Sequence, residues 1–585
     1  MKTQKFLLML VGLIVLLSLI SACSAATPEP TKAPAPTSAP AAPTKAAAAE
    51  PTKAPAAPTT AAAATKAPEP TKAAAPSASA WQAKPANWTE AMATKSFTYH
   101  TSEDIVALAK WSTTTNNTIQ VISYLVFDPL IVQDEDGQYK PWLAKAWKFT
   151  DDAKSVTFEL RDDVYFTDGN KMTAADVIFT LEQLRDDKTH YPDSVVSNLR
   201  RFFGKMEKID DYKFTLNLNQ PMPEFYYQMT APGLEIFSKA AFEKMGYDAF
   251  WKNPVGTGAY VVESYNQPNS IIKLTLRTDK NGYWGYKASN RYTNVKNITI
   301  QYSAEAQTRL ASLRSKEIQM INTVPPTEKA NLDKQGFTTM LLTPMNTVFL
   351  QMATAKGDTF ENAKLREALS LAIDRDVIVA TLLNGYATPA RWPARQGDLG
   401  YEEKPATPIT YNKAKAQQLV KESGYTGKEV NFIYTQAYVN IGNELAQAIQ
   451  SMAAEVGIKV KISPLERATY DEARLKHQFD IVLAAIGYSG NAWYKTAHDV
   501  IGMDRFNTGV QNKKLKDLAI SLENIVDEPK AAAIYKQIYA IETTEFDPHI
   551  YLYWPSNINA WDVKVTGALW HKNQYPDLSS LVIKD

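Results

Sequence analysis

A single cysteine limits how this chain of 585 residues can be held together. It is Cys23, which lies in "LISACSAATPEP" directly after an apolar run near the amino terminus. No other thiol follows in the sequence, so no disulfide can cross-link the remainder of the chain. We therefore expect the folded part to be stabilised by its hydrophobic cores alone.

The amino-terminal segment has the order of an export signal. A short basic start precedes the apolar run Phe6–Ile20, and two small residues separate this run from Cys23. The run is shorter than the about 20 residues of a comfortable transmembrane helix. This favours a signal peptide over residues 1–22 that is removed on export, rather than an anchor that remains.

The letters "LISAC" resemble a bacterial lipobox, in which the signal is cut before the cysteine and the thiol receives a diacylglycerol group. Each buried CH₂ of an acyl chain contributes about 0.8 kcal/mol, and more than one chain makes the attachment stable. We predict that Cys23 is lipidated and anchors the protein to the cell membrane, outside the cytoplasm. The alternative is an ordinary secretory signal with an incidental cysteine.

The next segment is a candidate tether. Residues 24–80 consist almost only of Ala, Pro, Thr, Lys, Ser and Glu, and "PTKA" recurs in them. They offer no aromatic or large aliphatic side chain to bury. Frequent prolines favour extended conformations, and at about 3.1 Å per residue the reach is at most on the order of 170 Å. We predict that 23–80 is the lipidated cysteine followed by a disordered tether.

The body from about Trp81 to Asp585 is too long for one typical core, so we expect two or more lobes. The net charge is +1, from 63 basic and 62 acidic residues mixed along the chain, which does not favour a nucleic-acid partner. The 12 Trp and 29 Tyr indicate either surfaces that stack on flat or sugar-like ligands, or large aromatic cores.

Strand-like and helical segments alternate irregularly along the body. "KSVTFELRDDVYFTDG" (154–169) has the alternation of a strand pair, and "TAADVIFTLEQLRDD" (173–187) predicts a helix with Thr173 as N-cap. Residues 363–386 predict a long helical region with a bend near Asp374. The later part alternates helices and strands, whereas the earlier part is richer in strands. This pattern predicts an α/β protein of two dissimilar lobes with a ligand cleft between them.

Residue patterns that carry catalysis are missing from the sequence. The six histidines have no metal-ligand spacing, no G-x-S-x-G elbow occurs, and "NPVGTGAY" (253–260) lacks the third Gly and the Lys of nucleotide-binding loops. With 62 acidic residues, any choice of a glycosidase carboxylate pair would be arbitrary. We predict no enzyme activity, no cofactor and no metal, with a secreted hydrolase as the alternative. We expect the protein to capture a ligand.

Four segments carry a resemblance to a known family. They are "YKPWLAKAWKFTDDAKSVTFELRDDVYFTDGNKMTAADVIFTLEQL" (139–184), "NPVGTGAYVVESYNQPNSIIKLTLRTDKNGYW" (253–284), "TRLASLRSKEIQMI" (308–321) and "AKLREALSLAIDRDVIVATLLNGYATPA" (363–390). In this order they are similar to extracellular solute-binding proteins of ABC importers, specifically the oligopeptide- and dipeptide-binding family (family 5). The resemblance spans nearly all of 95–585. Ala259 departs from the family pattern, in which proline is usual.

The resemblance implies a bilobed periplasmic-binding-protein fold of class C, with an extra subdomain in the first lobe and two hinge crossings. Lobe one would comprise 95–344 plus 550–585, and lobe two would comprise 345–549. In this family the lobes close on a ligand between them, and the solute passes to a membrane permease driven by ATPase subunits. We expect a monomer that works with these partners.

The family likeness also suggests cleft residues in lobe two. Peptide binders of the family carry an Asp that pairs with the amino terminus of the ligand, soon after a G-[WY]-x-G stretch. That stretch corresponds here to "GYSGNAWY" (487–494). The matching position is Asn491, with Asp499 as the alternative, and Tyr488 and Trp493 lie beside it.

Three further tryptophans are candidate ligand contacts by the same resemblance. The stretch "GYATPARWPARQGDLGY" (385–401) often faces the ligand, and Trp392 lies in it directly after Arg391. Trp111 lies where the first strand leads into the cleft, and Trp554 lies near the second hinge. For each of them the alternative is a packed or exposed tryptophan without a role in binding.

Two ligand classes remain open. Arg391 and Arg395 favour a peptide, because a guanidinium can hold its carboxylate. Asn491 favours an oligosaccharide, since an amide both donates and accepts hydrogen bonds as a sugar hydroxyl requires. A buried ammonium facing this amide would also lack an ion pair. We predict capture of oligopeptides, with oligosaccharides as the alternative.

Replacement of the cysteine tests the predicted anchor. We expect metabolic labelling with a fatty acid to mark the wild-type chain and not Cys23→Ser, because the cysteine of a lipobox is the lipid acceptor. Equal label in both chains would contradict lipidation at this residue.

Overall fold

The structure, a computed structural model, describes residues 84–105, 108, 117–134, 138–191, 193–230, 233–342, 346–395, 398–439, 441–487, 510, 512–546, 549–570 and 576–585. All of them lie in one compact unit, Ala67–Asp585. Within these ranges no helix combines the length and the apolar character needed to cross a bilayer. The predicted signal peptide, Cys23 and the predicted tether lie outside the described residues.

The regular elements are numbered here in chain order. The strands are β1 (Lys95–Thr101), β2 (Ile131–Gln133), β3 (Tyr139–Pro141), β4 (Ala144–Phe149), β5 (Ser155–Leu160), β6 (Phe203–Asp210), β7 (Lys213–Leu218), β8 (Tyr260–Asn266), β9 (Ile271–Leu276), β10 (Val295–Tyr302), β11 (Met320–Ile321), β12 (Phe337–Leu342), β13 (Asn346–Met352), β14 (Ala387–Pro389), β15 (Val430–Tyr434), β16 (Val460–Pro464), β17 (Ile481–Gly487), β18 (His549–Pro555), β19 (Asn557–Asp562), β20 (Val565–Thr566), β21 (Leu569–Trp570), β22 (Pro576–Asp577) and β23 (Val582–Ile583). The α-helices are α1 (Asn117–Val126), α2 (Ala174–Asp186), α3 (Asp193–Phe202), α4 (Phe225–Thr230), α5 (Lys239–Met245), α6 (Tyr247–Lys252), α7 (Trp284–Ala288), α8 (Ala306–Arg314), α9 (Lys329–Lys334), α10 (Ala363–Ala372), α11 (Arg375–Leu382), α12 (Lys413–Glu422), α13 (Gly442–Glu455), α14 (Arg467–Leu475), α15 (Lys513–Ser521) and α16 (Glu528–Glu545).

Three larger sheets organise these strands. A seven-stranded sheet has the order β12-β19-β11-β1-β10-β9-β8, a four-stranded sheet has the order β4-β5-β7-β6, and a six-stranded sheet has the order β14-β18-β13-β17-β15-β16. The four-stranded sheet is antiparallel, whereas the other two mix parallel and antiparallel pairs. We call residues 84–342 and 557–585 lobe one, which holds the first two sheets, and residues 346–555 lobe two, which holds the third.

Local sequence accounts for the elements around the four-stranded sheet. Val156, Phe158 and Leu160 alternate along β5 and are fully buried, which confirms the strand predicted there. Helix α2 begins directly after Thr173, as predicted. A capping box between Thr173 and Asp176 satisfies backbone N–H groups of its first turn.

The prediction of a second strand within 154–169 is wrong. Val164 and Phe166 are buried as a strand would require, but the segment makes only an isolated bridge between Tyr165 and Lys171. The Arg277 guanidinium donates to the carbonyls of Tyr165 and Phe166 at 3.0 and 3.2 Å. A buried side chain from another part of the chain therefore takes the hydrogen bonds that a strand partner would have made.

The six-stranded sheet of lobe two is buried on both faces. Along β13, Val348 and Leu350 belong to one hydrophobic cluster, whereas Phe349 belongs to the cluster on the opposite face. Helices α10–α13 contribute to the first cluster and α14 contributes to the second. The predicted bend near Asp374 is confirmed, since this residue caps α11 by accepting hydrogen bonds from backbone N–H groups of its first turn.

The chain passes between the sheets at two places. It leaves β12 after Leu342 and enters β13 at Asn346, so the predicted boundary after residue 344 falls between these strands. It returns from β18 to β19 at Ser556. The return predicted at residue 550 is therefore too early, because residues 550–555 pair with β13 or β14 in lobe two.

A buried carboxylate joins two of the segments that carry the family likeness. The side chain of Asp128 accepts hydrogen bonds from Trp142 (2.8 Å), Thr257 (2.7 Å), Tyr283 (2.9 Å) and Trp284 (3.0 Å). Burial raises the pKa of the Asp128 carboxyl, and the four hydrogen bonds oppose that rise. Both carboxylate oxygens are thus used to fix aromatic side chains in the core of lobe one.

Replacement of this carboxylate should destabilise the protein. We expect Asp128→Asn to lower the free energy of unfolding by about 2–4 kcal/mol, because an amide NH₂ would face donors and leave buried groups unsatisfied. The midpoint of thermal unfolding measures this loss. Asp151→Asn, at an exposed turn of the same lobe, is the control and should leave the midpoint unchanged. Equal midpoints for both variants would contradict the role given to Asp128.

Candidate functional site

Lobe two is joined to lobe one at a single edge of its sheet. Asn346, the first residue of β13, lies opposite Gly487, the last residue of β17. Ala387, the first residue of β14, lies opposite Pro555, the last residue of β18. The end of β17, the end of β18 and the start of β14 therefore share the edge from which both crossings leave.

Lobe one presents the end of its first strand at the corresponding edge. Leu342 of β12 lies opposite Asn557 of β19, where the crossings meet this sheet. Strand β11 runs antiparallel to β19 and parallel to β1, so β1 ends at the same edge. In α/β sheets, ligands bind at the carboxyl ends of strands. The crossing edges of the two lobes are thus the candidate site.

Strand β14 begins at the crossing edge and runs away from it, and the loop that follows β14 carries Trp392. The backbone N–H of Ala390 donates to Leu552 of β18 at 3.0 Å, and that of Ile409 donates to Arg391 at 2.8 Å. These bonds hold both ends of the segment against lobe two. The Trp392 ring meets Tyr539 of α16 edge-on, with 6.1 Å between ring centroids.

Two indole N–H groups, one on β18 at the crossing edge and one in the loop after β14, are buried without a hydrogen-bond partner in the described part of the chain. Trp392 is 4% exposed and Trp554 is 8% exposed. Trp554 is the penultimate residue of β18 and lies opposite Thr388 of β14. A buried donor without a partner is costly, so these two groups are suited to meet an acceptor supplied by a ligand.

Arg391 is a partly exposed cation of the same loop. Its side chain is about half exposed and forms an ion pair with Asp376 at the start of α11. Arg375, next to that aspartate, is buried and donates to the backbone of Tyr551 at 2.6 Å. Burial and the nearby Arg391 lower the pKa of Arg375 to about 9.

Arg395 has a structural role that its sequence position did not reveal. Its Nε and backbone N–H both donate to Asp398, at 3.0 and 2.9 Å, and the side chain is almost fully buried. Of the two arginines predicted to hold a ligand carboxylate, Arg391 is therefore the better placed.

The remaining predicted contacts lie outside the described residues. They are Trp111, Tyr488, Asn491 and Trp493. Strand β17, which precedes Tyr488, Asn491 and Trp493 in the sequence, ends at the crossing edge. Strand β1, which precedes Trp111, ends at the crossing edge of lobe one. Their roles stay predictions.

Tyr535 and Tyr539 were not among the predicted site residues. They lie four residues apart on α16, and their rings stack with 5.9 Å between centroids. Their i, i+4 spacing in an amphipathic segment indicates neighbours on one helix face, which is the signal that could have drawn attention to them.

Lobe one also contains a cavity of about 400 Å³ away from this edge. Its walls include Tyr124 and Phe127, at the carboxyl end of α1, and Trp142 and Trp570. Helix α1 begins beside the end of β1, where the hydroxyl groups of Thr101 and Thr118 are 2.6 Å apart. The cavity is thus at the opposite end of α1 from the crossing edge. Of the predicted site residues that the structure describes, none lines it.

The sequence of this chain is similar to the sequences of known proteins. A family model described as bacterial extracellular solute-binding proteins, family 5 middle, matches residues 138–507. The glutathione-binding protein GsiB of Shigella dysenteriae serotype 1 (strain Sd197) is 27% identical over 466 residues, which cover 77% of this chain and 88% of that protein. GsiB of Salmonella typhi is 28% identical over 467 residues, with coverages of 77% and 88%.

Solved structures share the fold. HbpA2 from Haemophilus parasuis superposes with a TM-score of 0.73 at 22% identity and covers 84% of this chain and 100% of its own. A dipeptide binding protein from Pseudoalteromonas sp. SM9913, solved with Met-Leu, has a TM-score of 0.68 at 20% identity, with the same coverages. These similarities confirm the predicted bilobed α/β fold of periplasmic binding proteins. Taken with the family model, which spans more than half of the chain, they show that this chain belongs to the family 5 extracellular solute-binding proteins of bacteria.

Proposed function

We propose that this protein is a membrane-tethered receptor of an ABC importer that captures short peptides between its lobes and delivers them to the permease. Lipidated Cys23 and the tether 23–80 keep the receptor near its transporter and leave it free to move. It performs no catalytic turnover. Ligand binds at the crossing edges, and closure of the lobes encloses it.

The observation that carries the proposal is a pair of buried indole donors, Trp392 and Trp554, that have no hydrogen-bond partner among the described residues. Trp554 lies where the lobes are joined, and Trp392 follows β14, which pairs with the same strand. A peptide brings carbonyl oxygens that can accept from both. Binding then removes the cost of leaving these donors unpaired in the ligand-free protein. Their rings add apolar surface, which is typical of small-molecule sites.

Charge and family support the choice of a peptide. Arg391, whose ion pair with Asp376 is accessible, can instead hold the carboxylate of a ligand. Relatives are named for glutathione, and one structural neighbour was solved with the peptide STSA. Glutathione and unmodified peptides both present amide carbonyls and carboxylates, so one site can accept either.

Oligosaccharides are a second candidate. The feature that favours them is Asn491, a neutral amide at the position where peptide binders of the family carry an aspartate for the ligand ammonium. The neighbouring aromatic residues Tyr488 and Trp493 would stack on sugar rings. An oligosaccharide receptor would use the same lobes and the same partners.

A ligand panel separates the two candidates. We expect glutathione, the dipeptide Met-Leu and the tetrapeptide Ser-Thr-Ser-Ala to include at least one compound that raises the thermal midpoint of the full chain. A ligand at 100 times its dissociation constant adds about 2.7 kcal/mol of stability. Cello-, manno- and xylo-oligosaccharides form the comparison arm. A response to sugars alone would replace the peptide proposal with the second candidate.

Removal of the indole donors tests the site itself. We expect Trp392→Phe and Trp554→Phe each to weaken peptide binding about threefold to tenfold, because phenylalanine keeps an aromatic ring but cannot donate a hydrogen bond. Isothermal titration calorimetry with the peptide found in the panel measures the loss.

Trp561→Phe is the matched control. Trp561 is buried in β19 of lobe one and stacks on Trp570, with 5.5 Å between ring centroids. This variant loses the same side-chain volume and should lower stability without changing the affinity. Weakening of similar size in all three variants would argue against a direct role for Trp392 and Trp554.

A further inference from the structure

Helix α16 is held tightly against the loop that carries Trp392. The Tyr539 hydroxyl donates to the backbone carbonyl of Leu399 at 3.2 Å. Gly400 has a φ of +78°, and a Cβ at this position would lie 2.7 Å from Cβ of Tyr535. Only glycine permits this close approach of the loop to the helix. The loop and α16 are therefore packed closely against each other.

The same helix touches lobe one on its other side. The Tyr535 hydroxyl donates to the Glu224 carboxylate at 3.1 Å, in a place where both side chains are buried. Glu224 directly precedes α4 of lobe one. A second contact follows along the chain, where the Arg201 guanidinium of lobe one lies 3.0 Å from Glu523, between α15 and α16.

The hydrogen bond between Tyr535 and Glu224 is stronger than the ion pair between Arg201 and Glu523. Burial and the neighbouring Glu224 raise the pKa of Tyr535 well above its usual value, so the hydroxyl remains a donor at physiological pH. Hydrogen bonds from a neutral donor to a carboxylate are stronger than those between neutral groups. The pair of Arg201 and Glu523 is partly exposed, and solvent weakens it.

A contact between lobes contributes to ligand affinity when it exists in one arrangement of the lobes and is lost in another. The ligand binds the arrangement in which the lobes are together. Its apparent affinity therefore decreases when a smaller fraction of the protein has that closed arrangement. If the lobes separate at α16, the Glu224 carboxylate and the Tyr535 hydroxyl return to water, and their bond no longer favours closure.

We propose that the Tyr535–Glu224 hydrogen bond is an interlobe contact that stabilises the closed protein and thereby sets its affinity for ligand. The proposal rests on the proposed function, because it assumes that ligand binds between the lobes. Neither residue contacts the ligand, and both act by positioning α16. Through Tyr539 and Leu399 the helix also carries the loop of Trp392, which couples the position of that loop to closure.

A double-mutant cycle on the full chain tests the contact. Tyr535→Phe and Glu224→Met, neither of which keeps the hydrogen bond, should each weaken binding of glutathione or of Ser-Thr-Ser-Ala, whichever binds the wild type, about tenfold. The double variant should bind no more weakly than the weaker single variant, because both substitutions remove the same bond. Additive losses would overturn the inference.

Tyr470→Phe is the matched control. Tyr470 is equally buried, and its hydroxyl donates to the backbone of Leu483 at 2.9 Å, entirely within lobe two. We expect this variant to lower the thermal midpoint but to leave the affinity unchanged. If Tyr535→Phe behaves in the same way, α16 moves with lobe one as a rigid body and the inference is wrong.

A distance measurement without ligand separates this inference from the proposed function. Ile209 of β6 and Leu475 of α14 are exposed and lie in different lobes. Spin labels on Ile209→Cys and Leu475→Cys are specific in a Cys23→Ser background, since the chain has no other thiol. Tyr535→Phe should lengthen or broaden the interlobe distance distribution. An unchanged distribution would overturn the inference even if peptides bind, and a shifted one would support it even if none of the tested peptides binds.

Discussion

Two neighbouring connections between sheets are the constraint on which the candidate site depends. Both leave lobe two from paired strands at one edge, and both reach lobe one beside β12 and β19. Side chains that are far apart in the sequence are thereby brought to one place. The register of β18 is part of this constraint, because a slip of one residue would turn Trp554 to the opposite face of the sheet.

The scaffold and the predicted ligand contacts occupy different parts of the fold. The sheets, the crossings and the Asp128 core form the scaffold, whereas the predicted ligand contacts that the structure describes lie on strand ends and loops. Trp392 and Arg391 follow a short strand, and Trp554 is the penultimate residue of another. Related structures were solved with a dipeptide and with Fe(III)-EDTA. The fold alone therefore does not determine the solute.

Patterns within one segment were predictable from the sequence, and contacts between distant segments were not. The alternation in β5, the cap at Thr173 and the bend at Asp374 each depend on a few adjacent residues, and all are confirmed. Residues 164–166 failed as a strand because Arg277, far along the chain, takes two of their carbonyls. The return crossing was placed at residue 550 by the family resemblance, whereas β18 continues its pairing within lobe two as far as Pro555. Trp392 and Trp554 are predicted contacts that the structure describes, but the sequence could not show that their indole N–H groups are buried without a partner among the described residues, because burial depends on tertiary packing.

The only cysteine of the sequence, Cys23, precedes the described lobes, so the lobes fold without disulfide bonds. Their four hydrophobic clusters form without any covalent cross-link, and the structure keeps its sheets together through packing and hydrogen bonds. No oxidant or disulfide isomerase is needed after synthesis, and no wrongly paired thiols can trap a folding intermediate. Formation of the folded lobes therefore does not depend on an oxidising compartment.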